Sequence, residues 1–320
     1  MGYLEGKRIL LIGIGFYDYE ESIKKCIEEQ GALVNYLNSC PNDFLSRFFL
    51  RVNMSGWSVA RLQRLRTEKL HSLPVNNDIV FVIKGENLTQ EDLAYLHKHN
   101  PRARFILYLW DSLIRHTNLD VLLPNFDNIL SFDRIDCLSN PKFKFRPLFY
   151  RILPVTRPKE YYLSFIGWMH SDRLAIVRSI RNQLKAQGKN YFIKLYMGKF
   201  SYFFARYVTR ILNSDDRELI TLKPIPYGEY QRVTAASRIV LDIAHPLQSG
   251  LTIRTIETLA AGCHLMTTNA DIVNYPQIST DSYTIFEREH PGLPMQIIST
   301  EPISDYFSIE TFIKNILDEK

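Results

Sequence analysis

The residues with the clearest chemical potential lie near the start of one stretch, residues 249–269. This stretch opens with Ser249, Gly250, Leu251 and Thr252, and a short segment with helical apolar spacing follows. Small residues at a helix start leave backbone N–H groups uncrowded, and these groups, together with the helix dipole, attract a phosphate. The pattern therefore predicts an anion site at the start of the helix.

The helix predicted after Thr252 has apolar residues at three- and four-residue spacing and ends at Gly262. Arg254 and Glu257 lie one turn apart on its other face, where they can meet a ligand or each other. The alternative is an ordinary helix packed on a sheet, with Thr252 as its cap and Arg254–Glu257 as a solvated ion pair. The local pattern by itself favours this alternative.

The stretch SGLTIRTIETLAAGCHLMTTN resembles the donor-site segment of bacterial glycosyltransferases of the two-domain GT-B type. More narrowly, it resembles the lipopolysaccharide or capsular polysaccharide biosynthesis proteins related to the CgeB and "glycosyl transferases group 1" sets. The resemblance implies that the helix start faces a nucleotide diphosphate and that Glu257 holds the ribose hydroxyls. Retaining members carry another glutamate eight positions earlier, where this chain has Ser249, so their paired-glutamate motif is broken.

The same resemblance implies further donor contacts in the second half of the chain. Gly167 matches a turn that faces the cleft, Arg173 is placed to reach the donor phosphates, and Tyr227 matches the region that contacts the nucleotide base. Gln248 precedes the small-residue loop and is expected to contact the sugar or a phosphate. The alternative for Arg173 is a surface residue in a first helical turn. Of the two tyrosines in the base-contact region, Tyr227 is the expected ligand contact and Tyr230 is expected to be a packing residue.

Glycosyl transfer needs fixed positive potential at the departing diphosphate and a base near the acceptor hydroxyl. The chain contains no Asp-x-Asp motif, so we expect no metal and no other cofactor. Candidates for the base are carboxylates that directly follow apolar strand segments, namely Asp18, Asp111 and Glu86, with Asp18 and Asp111 ranked first. Each is also a plausible helix cap or surface charge.

Apolar strand segments alternate with helical segments in both halves of the chain, which predicts an α/β protein with doubly wound parallel sheets. A proline-marked linker at 153–159 divides it into an acceptor-side Rossmann-like domain (1–152) and a nucleotide-sugar-binding domain (153–320) that face a cleft. A Gly13-x-Gly15 turn follows the first strand, but the third glycine of a dinucleotide fingerprint is missing and acidic residues follow at once. We therefore expect no NAD site there.

The composition narrows the class of protein. The 320 residues are 46% hydrophobic and carry a formal net charge of +5, which is low for a nucleic-acid-binding protein and suits anionic sugar nucleotides. The four cysteines form no Cys-x-x-Cys pair, which suits a reducing cytosol. No apolar run approaches the roughly 18 residues of a spanning helix. The expected location is the cytoplasm, with peripheral attachment to the inner face of the plasma membrane as an additional hypothesis.

Two segments motivate the membrane hypothesis, because each mixes basic and aromatic residues as interfacial segments do. In the first, residues 42–70, six basic residues outnumber two acidic ones. In the second, residues 198–212, Lys199, Arg206 and Arg210 accompany five aromatic residues with no acidic residue. The alternative for both is a helix packed on its own sheet.

The predicted function is transfer of a sugar from a nucleotide sugar to a saccharide or lipid-linked saccharide acceptor during surface polysaccharide synthesis. Two alternatives remain open. A nucleotide-sugar epimerase of the same fold would need no acceptor, and a non-catalytic partner would keep the fold while binding an assembly.

Overall fold

The structure is a computed structural model. It describes residues 2–15, 18–40, 55–85, 87–115, 119–151, 158–246, 248–297 and 303–318, with side chains from residue 60 onward in the helix that begins at residue 55. Within these residues the chain forms two compact units. The first consists of the described residues within 1–148, 247–250 and 308–320, and the second of those within 149–246 and 251–307.

The first unit contains one parallel sheet, as the strand–helix alternation predicts. Its described strands are β1 (Arg8–Gly13), β2 (Leu33–Asn38), β3 (Ile79–Ile83), β4 (Arg104–Leu109), β5 (Asn128–Ser131) and β6 (Phe143–Phe145), in the order β2-β1-β3-β4-β5-β6. Its helices are α1 (Tyr19–Glu29), α2 (Ser55–His71), α3 (Gln90–His99), α4 (Arg134–Ser139) and, from the end of the chain, α9 (Ile309–Asp318). The order reverses direction between β1 and β3, which marks the point where such sheets bind ligands.

The second unit contains a second parallel sheet. Its described strands are β7 (Tyr161–Trp168), β8 (Tyr191–Tyr196), β9 (Ile220–Thr221), β10 (Ser237–Asp242), β11 (His264–Thr267) and β12 (Tyr283–Ile285), in the order β9-β8-β7-β10-β11-β12. Its helices are α5 (Arg173–Ala186), α6 (Lys199–Phe203), α7 (Tyr227–Ala235) and α8 (Ile253–Ala260), and α6 continues as a π-helix over Phe204–Val208. This is the Rossmann order 3-2-1-4-5-6, with its switch point between β7 and β10.

Short 3₁₀ segments complete the described secondary structure. They span Leu113–Arg115, Leu119–Val121, Leu123–Asn125, Ser214–Leu219, Ala270–Asn274, Thr280–Ser282 and Asp305–Phe307.

The sheet cores form from apolar strands buried on both faces, as parallel sheets require. All five residues of β3 are buried, and so are Val240 and Leu241 of β10. Local signals fix the helix ends: Thr89 and Asp92 form a capping box at the start of α3, and Gly262, with a positive φ of 61°, follows the end of α8.

The last helix of the chain lies in the first unit. The domain boundary assigned all of 153–320 to the second half, but α9 packs in the first unit, where Phe312 meets the ring of Tyr108 at 5.0 Å between centroids. An amphipathic helix can bury its apolar face against any exposed sheet. The position of α9 at the end of the sequence therefore did not reveal the unit in which it packs. The linker prediction at 153–159 lies largely outside the described residues.

No helix in the described ranges combines the length and the hydrophobicity that crossing a bilayer would require.

Candidate functional site

A network of arginines and one aspartate lies at the carboxyl edge of the second sheet. Asp242, the last residue of β10, has no exposed surface, and its carboxylate accepts a 3.0 Å hydrogen bond from Arg254 Nη1. The hydroxyls of Thr252 and Thr255 lie 3.1 and 2.7 Å from its second oxygen. Asp242 therefore ties the first turn of α8 to the end of β10.

Arg173 and Arg254 both bridge the switch point between β7 and β10. Arg173 donates to the carbonyl oxygen of Trp168 at 3.2 Å and to that of Ile243 at 2.7 Å. Arg254 donates to the carbonyl oxygen of Ile166 at 2.7 Å, in addition to its bond with Asp242. Two guanidinium groups thus occupy the place where a doubly wound sheet of this order binds its ligand.

The charge of Arg173 is less compensated than that of its neighbours. Among the described residues, no carboxylate lies within ion-pair distance of its guanidinium, whereas Arg254 pairs with Asp242 and Arg288 pairs with Asp172 at 2.8 Å. Burial, and then repulsion from Arg254, lower the pKa of Arg173 to about 10 despite the attraction of Asp242. Its buried Nε atom has no hydrogen-bond partner among the described residues. An anion beside Arg173 would relieve this repulsion.

Gly167, which was predicted to form a turn, is instead a residue of β7 paired with Leu195 of β8, and it lies against this network. A Cβ atom at Gly167 would lie 2.9 Å from the ring of Phe165 and 3.4 Å from Nη1 of Arg173. The ring of Phe165 in turn lies under Arg254, 5.2 Å from its guanidinium carbon. A glycine is therefore needed for Arg173 and the β7 end to pack as they do.

Arg254 and Glu257 do not pair with each other, contrary to the alternative of a solvated ion pair. Glu257 is buried, accepts a 2.6 Å hydrogen bond from the Tyr227 hydroxyl and faces Arg151, with 3.7 Å between Nε and the carboxylate. Arg151 also covers one face of the Tyr227 ring at 3.5 Å. Gln231 donates to the same hydroxyl at 3.0 Å. Tyr227 and Glu257 are thus brought together by the fold, as partners in a second cluster.

The small-residue loop is divided between the units. Residues 247–250 belong to the first unit, while Leu251 and Thr252 belong to the second. In the first unit the carboxylate of Asp133 accepts from the amides of Ser249 at 3.3 Å and Gly250 at 3.2 Å, and also from the Ser249 hydroxyl. These two amides therefore already have an anionic partner, which the phosphate hypothesis did not foresee. Gln248 turns toward the same loop and donates to the Gly250 carbonyl at 3.0 Å.

Asp133 is held as a carboxylate in this position. Burial by itself would raise the pKa of Asp133, but hydrogen bonds from Ser112, Ser249 and Gly250 lower it below the usual value. The ring of Phe132 lies 2.4 Å from where a Cβ atom of Gly250 would stand, so only glycine fits there. Thr252 behaves as the alternative expected, since its hydroxyl caps α8 by accepting from the Thr255 amide at 3.1 Å.

The base candidates all follow strands of the first sheet. Asp18 is exposed at the start of α1, and its side chain makes no capping bond. Asp111 forms an ion pair of 2.6 Å with Lys84, which follows β3. The neighbouring rings of Tyr19 and Trp110 meet edge to face at 6.1 Å, so the segments after β1 and β4 adjoin. Glu86 lies outside the described residues.

The glycine turn after β1 is occupied by a side chain of the same unit. Glu20 is buried, and its carboxylate accepts from the amides of Ile14 and Gly15, both at 2.9 Å, and from the Tyr36 hydroxyl. A carboxylate of the same unit thus accepts from the amides that a dinucleotide phosphate would need.

Sequence reasoning missed Asp242, Arg288, Asp133 and Arg151. For Asp242 a signal existed, because an aspartate inside the apolar run RIVLDIA is costly to bury without a cationic partner. No local signal marked the others, since their partners lie far away in the sequence. The described residues contain no cluster of three or more acidic, histidine or cysteine side chains that could hold a metal.

No family model and no curated protein matches the sequence. Among solved structures, the chain is similar to UDP-GlcNAc 2-epimerase from Methanocaldococcus jannaschii, with a TM-score of 0.55 and 10% identity over 98% of both chains. It is also similar to the catalytic domain of starch synthase IV from Arabidopsis thaliana bound to ADP and acarbose, with a TM-score of 0.53 and 9% identity over 88% of both chains.

A third similar structure is the α,α-trehalose 6-phosphate synthase from Burkholderia multivorans, with a TM-score of 0.51 and 10% identity over 99% of this chain and 90% of that one. At this identity the likeness concerns the fold, which an epimerase and two sugar-transferring enzymes share. Together with its two parallel six-stranded sheets, the comparisons show that the chain has the fold of the GT-B enzymes.

Proposed function

We propose that the chain is a glycosyltransferase that binds a nucleotide sugar at the carboxyl edge of its second sheet. The observation that carries this proposal is Arg173, a partly buried cation at the switch point with like charges beside it and no carboxylate partner among the described residues. A departing diphosphate is an anion of the kind that this arrangement stabilises. Arg254 and Arg288 add positive potential, although each is already engaged by an aspartate.

The donor geometry that we propose differs in one respect from the sequence hypothesis. Because Asp133 occupies the amides of Ser249 and Gly250, we assign the diphosphate to Arg173 rather than to those amides. Tyr227 remains the proposed contact for the nucleotide base, through its aromatic ring, which also contacts Arg151 and lies 6.0 Å from the ring of Tyr230. Glu257 fixes the Tyr227 hydroxyl, and ribose hydroxyls would compete with that bond.

The remaining elements of the proposal concern the acceptor and the chemistry. The acceptor is a growing surface polysaccharide or a lipid-linked saccharide, as in lipopolysaccharide or capsule synthesis, and the transfer needs no metal. Asp18 and Asp111 are the proposed general bases for the acceptor hydroxyl. Asp18 is favoured because Asp111 forms an ion pair with Lys84.

The experiment is a nucleotide-release assay over a panel of nucleotide sugars, with and without a lipid-linked acceptor. Acceptor-dependent release supports the transferase, interconversion of the donor without acceptor supports the epimerase, and saturable binding without turnover supports the non-catalytic partner. Replacing Arg173 with alanine is expected to reduce release by about 10²–10³-fold. Lys185→Ala, in the same helix but exposed and paired with Glu218, is the matched control and should keep full activity.

A further inference from the structure

An apolar face of the second unit points into solvent instead of into the core. It is formed by residues 199–211, which comprise α6, its π-helical continuation and the three residues that follow. Six of its side chains are each between 47% and 81% exposed: Phe200, Phe203, Phe204, Tyr207, Val208 and Ile211. We call these six residues the aromatic face.

Within the helical part of the segment, residues 199–208, the members of the aromatic face recur at three- and four-residue spacing, which is the pattern of a helix stripe that normally packs against a protein core. In this segment the core contact is instead made by Ala205, which is buried, and by Tyr202, which packs against the same cluster. The alternative of a helix packed on its own sheet therefore describes only the opposite side of the segment. Single exposed apolar residues are common, but six within twelve positions mark an interaction surface.

The charges around the aromatic face indicate what covers it. Lys199 and Arg210 are exposed at its two ends, and no acidic residue occurs between positions 199 and 212. The third basic residue, Arg206, donates to the Leu212 carbonyl at 2.9 Å and so holds the end of the segment in place. The partner must therefore be apolar in its interior and negative at its surface.

From this combination we propose that the aromatic face inserts into the interfacial region of an anionic lipid bilayer. Phenylalanine and tyrosine rings enter the boundary between headgroups and acyl chains, while lysine and arginine at the rim meet anionic headgroups. The segment begins three residues after Tyr196, the last residue of β8, so docking would place the carboxyl edge of the second sheet next to the bilayer. The proposal does not depend on the transfer reaction.

The other basic segment, residues 42–70, does not carry this proposal. Arg66 is buried and bonded to Asp92 at 2.7 Å, and Arg64 pairs with Glu68 at 2.7 Å. Residues 41–54 lie outside the described part of the chain.

Vesicle cosedimentation of the full chain tests the proposal. We expect binding to phosphatidylglycerol–phosphatidylcholine vesicles, with at least about tenfold weaker binding to pure phosphatidylcholine and a decrease with rising salt. Phe200→Ser combined with Tyr207→Ser should reduce binding by about a hundredfold, since each ring contributes on the order of tenfold. Lys199→Gln combined with Arg210→Asn should reduce it by about 25-fold, at about fivefold per charge; asparagine suits the φ of 54° at position 210.

Val273→Ser is the matched control, because Val273 is an exposed apolar residue of the same unit that lies outside the aromatic face. It should bind like the original protein, and circular dichroism of every variant checks that the fold is retained. As an independent measurement, the tryptophan fluorescence emission of Tyr207→Trp should shift to shorter wavelength when anionic vesicles are added. Pure phosphatidylcholine vesicles should cause no such shift.

Three outcomes would overturn the proposal: no binding to either vesicle, equal binding by the Phe200/Tyr207 variant, or binding insensitive to the vesicle charge. The proposal is also wrong if light scattering shows a dimer that the Phe200/Tyr207 variant dissociates, because the aromatic face would then be covered by a second copy.

Discussion

Arg254 lies 3.0 Å from the carboxylate of Asp242, and this carboxylate has no exposed surface. The pair joins α8 to the end of β10, and the residue after Asp242, Ile243, supplies one of the two carbonyl groups that hold Arg173. Because Asp242 is committed to Arg254 and to two threonine hydroxyls, it is not an ion-pair partner for Arg173. Arg173 is therefore left, among the described residues, as the cation of this network that has no carboxylate within ion-pair distance, and the proposed donor site depends on its charge.

Replacing Asp242 with alanine should strongly destabilise the protein. The change leaves Arg254 as a buried cation without its carboxylate and removes the acceptor of the Thr252 and Thr255 hydroxyls. Loss of one partner from a buried pair costs about 3–5 kcal/mol. Urea unfolding measures the effect, and Asp215→Ala, at an exposed position, should change the free energy of unfolding by less than about 0.5 kcal/mol. If both variants changed the free energy of unfolding by a similar small amount, Asp242 would not have the stabilising role that its hydrogen bonds indicate.

Arg173→Ala should separate stability from binding. Since burial and Arg254 already disfavour the charge of Arg173, we expect a change of no more than about 1 kcal/mol in the free energy of unfolding. The same variant should lose the thermal stabilisation that a saturating nucleoside diphosphate gives, about 2.7 kcal/mol at 100 times Kd. Arg173→Lys should restore binding only in part, because an ammonium lacks the planar fork of a guanidinium. Unchanged stabilisation in the alanine variant would exclude Arg173 from the anion site.

Asp133→Asn should alter the response of stability to acid. The pKa of Asp133 is lowered in the folded protein, so its carboxylate contributes stability above the unfolded pKa of about 4 and loses it as the pH falls through the folded value. Near pH 6 the variant should be less stable by about 1–3 kcal/mol, because an amide cannot accept all the bonds from Ser112, Ser249 and Gly250. Thermal unfolding from pH 7 downward should show this gap narrowing below about pH 4. A gap that stays constant in acid would mean that Asp133 is not the titrating group.

Tyr227→Phe tests the second cluster by removing a single oxygen atom. Glu257 loses a 2.6 Å hydrogen bond while buried, which should cost about 1–3 kcal/mol of stability. The ring and its contact with Arg151 remain, so nucleotide binding through stacking should survive. Tyr227→Ala should instead abolish that binding. Calorimetric titration with a nucleoside diphosphate distinguishes the two variants. Equal affinities would show that Tyr227 does not contact the nucleotide base.

The class of fold was available from sequence because it rests on local patterns. Apolar runs of strand length, helix-period segments and caps such as Thr89–Asp92 specify their elements without distant partners. The glycine turn at Gly13 also carried its own evidence against a dinucleotide, since Glu20 follows closely enough to fill it.

The partners of the charged residues were decided by the tertiary structure. The sequence places Arg254 and Glu257 one turn apart, yet the fold gives Arg254 to Asp242 and Glu257 to Tyr227 and Arg151. It likewise brings Asp133 to Ser249 across more than a hundred residues. Helical periodicity specifies which side chains share a face of the helix. Whether a charged side chain on that face is stabilised depends on which residues from distant parts of the chain pack against it. For this reason the sequence indicated the strand and helix segments of the proposed site, and only the folded chain determined which cation there has no carboxylate partner among the described residues.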